Sequence, residues 1–200
     1  MVNKLPLLFI PPSLGVIISL VLGIFVLSRN YRSPINRSFS YLCFGTAYWQ
    51  ICWLISYFLA NHAQKILICK IAYMLAALIP FFYYHYAVQF IRLTSEMKWV
   101  KVGYGVTGLF LILLWATDLF IEGYQNFSWG IYPRVGLLHP IYLFVVFISM
   151  IRALILLKHA VNLPQISSED RNRNRLVFYT HLIYSLAAIE YPITYGFIQI

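Results

Sequence analysis

The residues that could carry acid–base, nucleophilic or metal chemistry are few and scattered in this sequence. Its 200 residues include five histidines, six acidic residues and three cysteines. No HExxH or GxSxG motif occurs, and the histidines lack the i, i+4 spacing that holds zinc on one helix face. Cys43, Cys52 and Cys69 lie inside apolar stretches with no zinc or disulfide pattern, so we interpret them as small core residues. We therefore expect no catalytic residue, no metal site and no cofactor here.

Aromatic residues and one carboxylate suggest a ligand-binding site instead. Trp49, Trp53 and Tyr57 repeat at i, i+4, i+8, and aromatic rings commonly form the apolar walls of ligand pockets. Glu190 lies near the end of an apolar segment, where a carboxylate usually faces a bundle interior, a cavity or the interface. Ordinary bundle packing and headgroup solvation are the alternative explanations. We predict that six residues border one cavity in the outer half of the protein: Trp49, Trp53, Tyr73, Trp129, His139 and Glu190.

The elements that must position these residues are membrane helices. The sequence is 61% hydrophobic and 10% charged, whereas soluble domains carry roughly 25% charged residues. A compact soluble domain of this length cannot hide so much apolar surface, since it leaves about 30% of its unfolded area exposed. A soluble enzyme, a nucleic-acid module and a disulfide scaffold are thereby excluded. We predict an all-α fold, a polytopic transmembrane helix bundle in the lipid bilayer.

Six apolar runs approach the length of about 20 residues that a spanning helix needs. They are predicted at about 7–28, 39–60, 66–91, 102–120, 138–157 and 176–191. We expect a seventh span and a cytoplasmic output domain beyond residue 200, so that residues 1–200 form one transmembrane sensor domain. The loop after the fourth run is rich in Tyr, Trp, Phe, Gly and Pro rather than charge, which favours an ordered lid over a disordered linker.

The distribution of lysine and arginine predicts the orientation. Ten of the 15 basic residues lie in the first, third and fifth loops, four lie on the other side, and Arg152 lies within the fifth run. The positive-inside rule then places these three loops in the cytoplasm and the N-terminus outside. Accordingly, the net charge of +9 is a topology signal and not a sign of nucleic-acid binding.

Other charged residues allow two interpretations each. Asp118 and Glu122, four residues apart at the outer end of the fourth run, form either an acidic patch or an ordinary solvated boundary. Arg152 is close enough to the cytoplasmic side for its side chain to snorkel to the headgroups. For His181, a packing role is favoured over a proton switch.

Several segments resemble the N-terminal seven-transmembrane sensor region of bacterial histidine kinases, which also occurs before diguanylate cyclase domains. The similar features are Asn36, Phe39 and Trp49, then Tyr73 and Pro80. Pro80 is followed by the aromatic stretch FFYYHYAVQF. Three longer segments continue the resemblance, which covers about residues 10–200: WGIYPRVGLLHPIY, RNRNRLVFY and IEYPITYGFIQI. No catalytic residue of the family falls on these positions.

The resemblance implies signal reception in the inner (plasma) membrane. A small-molecule or membrane signal would change the bundle and control a cytoplasmic output, most simply a two-component histidine kinase that forms a homodimer through its output domain. A membrane transporter or small-molecule carrier is the alternative, because Pro80 interrupts the third run. A retinal photoreceptor would need a lysine deep in a late helix, and spans four to six contain none.

Overall fold

The computed structural model describes residues 5–127, 130–164 and 166–186 of the chain. Seven α-helices and one two-stranded hairpin make up this part of the protein. The helices are α1 (Leu5–Arg29), α2 (Pro34–Ser56), α3 (His62–Ala76), α4 (Ile79–Phe90), α5 (Met97–Ala116), α6 (His139–Val161) and α7 (Ser168–Ser185). A 3₁₀ turn, Thr94–Glu96, precedes α5, and the strands are β1 (Ile121–Phe127) and β2 (Gly130–Val135).

Local sequence signals explain where several helices begin. The Ser33 side chain accepts a hydrogen bond from the backbone of Asn36, and Pro34 supplies the preset backbone angle of a first helical residue. Asn61 caps α3 in the same way. Ser167 caps α7, whose first turn also carries Glu169 and Asp170, where carboxylates interact favourably with the helix dipole.

The prediction of an all-α membrane helix bundle is confirmed. Four helical segments of the described chain are long and apolar enough to cross a bilayer: Leu8–Arg29, His62–Phe90, Thr94–Ala116 and His139–Val161. Large apolar side chains such as Ile17, Ile112 and Ile183 are exposed on the outer faces, as expected for helices surrounded by lipid. The division into six spans stays a prediction, and the end of its sixth span lies outside the described residues.

The third apolar run forms two helices rather than one. Pro80 has no backbone N–H to donate to the preceding turn, and the helix breaks at Ala77 and Leu78, between α3 and α4. The backbone N–H groups of Phe81 and Phe82 both bond to the Leu78 carbonyl. The hydroxyl of Tyr142 on α6 donates to the Ala77 carbonyl at 2.9 Å. A side chain of a neighbouring helix thus donates a hydrogen bond to a carbonyl at the break. Lipid tails could not do so, because they have no hydrogen-bond donors.

The core is organised around α4, which packs against α2, α5 and α6. Phe81, Tyr83 and Tyr84 of this helix are buried, together with Leu114 of α5 and Val146 of α6. The three cysteines are also buried and unbridged, which confirms their interpretation as core residues. α4 and α6 both contribute residues to each of the two cavities described below.

The loop after α5 is ordered, as expected, and its described residues form an antiparallel hairpin. β1 and β2 pair from Phe127–Gly130 to Ile121–Val135, with an irregularity between Ile121 and Gly123. The hairpin packs against α3, and His62 Nδ1 lies 2.9 Å from the Tyr124 hydroxyl. Glycines and a proline interrupt the alternating pattern of these strands, which explains why the sequence signalled order without indicating strands.

Gly136, directly after β2, is expected to tolerate no side chain. An added Cβ would overlap the backbone of Asp118 and Leu119, and backbone atoms cannot move aside as a flexible side chain can. We expect Gly136→Ala to lower the free energy of unfolding by about 1–3 kcal/mol, as overpacking typically does. The measurement is an SDS titration of the protein in mixed micelles. Gly105→Ala is the matched control, because nothing lies within 4 Å of its added Cβ; equal effects of the two changes would contradict the expectation.

Candidate functional site

A cavity of about 440 Å³ opens on one side of α4, between α1, α2, the break in the third run, α6 and α7. Its size is within the range of small-molecule sites. Aromatic and other apolar side chains form most of the wall, and polar atoms come from Thr46 and Gln50 on α2 and from tyrosine hydroxyls. The wall residues include Pro11, Pro12, Trp49, Trp53, Tyr73, Ala76, Ile79, Pro80, Tyr142, Met150 and Tyr184.

Three of the six predicted site residues line this cavity together. Trp49 and Trp53 project from successive turns of α2, and Tyr73 faces them from α3. The rings of Trp49 and Tyr73 meet edge to face, with their centroids 5.8 Å apart. The i, i+4 spacing on α2 therefore corresponds to one shared wall. That a ligand binds against this wall stays a prediction.

His139 lies behind the wall rather than on it. Its side chain is fully buried, and its Nε2 lies 3.2 Å from the Tyr73 hydroxyl. Its ring also packs near Phe120 and Tyr142. A contribution of His139 to a ligand site would therefore be indirect, through the orientation of the Tyr73 hydroxyl. The other two predicted residues, Trp129 and Glu190, lie outside the described residues.

Sequence reasoning missed a buried polar atom of a wall residue, Gln50 Oε1. This oxygen is buried and, within the described part of the chain, has no hydrogen-bond partner. The side-chain amide lies against Gly15 of α1, where any Cβ would overlap it. Nearby, Thr46 Oγ1 and the Tyr184 hydroxyl lie 3.4 Å apart. The available signal was a lone amide next to Trp49 in an apolar run.

The chemistry of the wall suits an uncharged molecule. Among the described residues that line the cavity, none carries a formal charge, and burying an unpaired charge is unfavourable. Also within the described residues, no group of three or more His, Cys, Asp and Glu side chains could hold a metal ion.

A second polar cluster connects the start of α5 to α6. Arg152 donates from Nε and Nη2 to the two carboxylate oxygens of Glu96, at 2.7 and 2.5 Å. The Tyr84 hydroxyl of α4 donates to the same carboxylate. From the sequence, the Arg152 side chain is expected to extend to the headgroups. It remains partly exposed, but its guanidinium forms a bidentate ion pair with Glu96. Glu96, which the sequence did not single out, is the buried member of that pair.

The remaining charged candidates have specific partners. Asp118 pairs with Lys70 Nζ at 3.0 Å, and Glu122 pairs with Arg134 across the hairpin. Both carboxylates are exposed and each has a basic partner, which favours the ordinary solvated boundary over an acidic patch. His181 is buried and stacks on Tyr86, which agrees with its interpretation as a packing residue.

Long apolar helices with apolar side chains on their exposed faces define a multi-pass membrane protein. The chain belongs to the family described as the N-terminal 7TM region of histidine kinase, whose sequence profile matches residues 11–198. The resemblance inferred from the sequence is therefore confirmed, and the chain is a membrane sensory region of the kinase-signalling class. No curated protein matches the chain closely enough to add a relative.

Proposed function

We propose that this chain is a receptor module in which a small, uncharged amphiphilic molecule binds the cavity and controls a cytoplasmic histidine kinase. The observation that carries the proposal is an aromatic cavity wall that bears no formal charge but includes the polar side chains of Thr46 and Gln50. A ligand with one hydrogen-bond donor and an apolar body would match both features. Family membership supports the signalling role.

The cavity is well located for transmitting a signal. Its wall combines residues of α1 and α2 on one side with Met150 of α6 and Tyr184 of α7 on the other. A molecule that fits one spacing of these helices better than another shifts the population towards that packing. α7, the last described helix, packs on α6 and would carry the change further along the chain.

The proposed orientation follows from the basic residues. The protein lies in the inner (plasma) membrane with its N-terminus outside. The first, third and fifth loops are then in the cytoplasm, together with their ten basic residues. The hairpin then lies on the outer side. The kinase would act as a homodimer formed through its output domain.

Indole is a suitable probe of the cavity, because it is uncharged, aromatic and carries one N–H donor. We expect calorimetry on the nanodisc-embedded protein to detect indole binding that Gln50→Leu weakens about fivefold, the loss of about one hydrogen bond. Ala76→Phe, which adds a ring to the wall, should abolish binding.

Leu109→Phe is the matched control, because Leu109 is exposed on α5 and does not line the cavity. This variant should bind indole like the unaltered protein. Binding that survives both Gln50→Leu and Ala76→Phe unchanged would locate the probe elsewhere and contradict the proposal.

A further inference from the structure

A second groove, of about 380 Å³, lies between α4, α5 and α6. It shares no lining residue with the first cavity. Phe81 and Tyr84 form its floor, while Trp99 and Val102 of α5 face Ile148 of α6. These last three residues are about half exposed. The groove is therefore open to the hydrocarbon around the bundle and is apolar along most of its length.

One end of this groove carries positive charge. Arg152 lines it with a side chain that is 47% exposed, whereas the side chain of its partner Glu96 is 9% exposed. The carboxylate is thus covered, and the guanidinium is the group presented to the groove. Exposed Lys98 lies over the Trp99 ring at the first turn of α5, and exposed Lys101 follows on the same end of this helix. Local charge at this end is therefore net positive.

The groove covers most of the hydrocarbon depth of one leaflet, which is about 15 Å. Val145 and Arg152 both line the groove, and their separation along α6 corresponds to a rise of about 10 Å. Arg152 lies level with the beginning of α5, at a helix end where tryptophan and basic side chains favour the headgroup region. An acyl chain in the groove would leave its headgroup at the guanidinium, which binds phosphate in a bidentate manner.

We propose that this groove binds an anionic phospholipid, with one acyl chain between α5 and α6 and the phosphate at Arg152. Charge complementarity selects this occupant over a second copy of the chain, whose corresponding face would bring the same basic residues together. The proposal does not depend on which leaflet faces the cytoplasm, nor on ligand binding in the first cavity.

The test is native mass spectrometry of the whole chain released from detergent with phosphatidylglycerol or phosphatidylcholine of identical acyl chains. We expect one phosphatidylglycerol to bind about tenfold more tightly than phosphatidylcholine, because both lipids offer a phosphate but only phosphatidylcholine brings a choline cation to the basic end of the groove. Ile148→Trp, which fills the groove from an exposed position, should remove this bound lipid. Arg152→Lys keeps a cation beside Glu96 but loses the planar fork, and should reduce the preference.

Ile141→Trp is the matched control, because Ile141 is equally exposed on α6 and does not line the groove. It should leave lipid binding unchanged. Equal binding of the two lipids, or retention of phosphatidylglycerol by Ile148→Trp, would overturn the proposal. Full competition by glycerol phosphate would also overturn it, since the site would then recognise a free phosphate. Dimers that Ile148→Trp disrupts would instead assign the groove to a second copy.

Discussion

Arg152→Ala should lower the free energy of unfolding by about 3 kcal/mol, the lower end of the range for breaking a buried pair. The change leaves the Glu96 carboxylate, whose side chain is 9% exposed, without its cation. Arg152 itself is partly exposed, so water can partly compensate, and the lower end of the range applies. SDS titration in mixed micelles, monitored by circular dichroism, measures the loss.

Two further variants separate the ion pair from ordinary surface charge. Replacing both partners, as in Glu96→Met with Arg152→Met, should recover more than half of the lost stability, because no uncompensated charge remains. Arg173→Ala breaks the exposed pair with Asp170 and should change stability by less than about 0.5 kcal/mol. An Arg152→Ala variant as stable as Arg173→Ala would show that Glu96 is solvated without its partner.

Tyr142→Ala should produce the largest loss, about 3–5 kcal/mol, because it removes a fully buried aromatic side chain. Tyr142 is 1% exposed and packs on Phe110, Phe120 and His139. Its hydroxyl also donates to the Ala77 carbonyl at the break between α3 and α4. The same SDS titration measures the change.

Tyr142→Phe separates the hydrogen bond from the packing. This variant keeps the ring and should cost about 1–3 kcal/mol, the penalty for a buried acceptor left unsatisfied. Tyr179→Phe is the matched control, since Tyr179 is 56% exposed, and it should be nearly neutral. A Tyr142→Phe variant with unchanged stability would mean that another group satisfies the Ala77 carbonyl.

Much of the helical framework could be predicted from the sequence, because a membrane helix must satisfy its own backbone and therefore appears as a continuous apolar run. The third run shows the limit of this signal. Hydropathy alone reads residues 66–91 as one helix, while Pro80 and the local hydrogen bonds divide it after Ala76. The hairpin shows another limit, since Gly123, Gly130 and Pro133 obscure the alternation that indicates strands.

The candidate cavity was partly predictable. Trp49 and Trp53 share a helix face by their spacing, and Tyr73 was a reasonable partner on the next run. That His139 would lie behind Tyr73, and that Gln50 would leave an acceptor without a partner, depends on how α1, α3 and α6 pack against α2. Spacing within one helix contains no information on such packing between helices.

By itself, the sequence determined that lipid is the solvent of this protein and which family it belongs to, since both follow from the residue types along each segment. Only the tertiary structure decided which polar groups meet. Glu96 lies in a short polar loop that looks solvated, and its partner Arg152 lies 56 residues away along the chain. Buried charges and hydrogen-bonding groups are stabilised by direct contact, and contacts between distant residues exist only once the helices have packed.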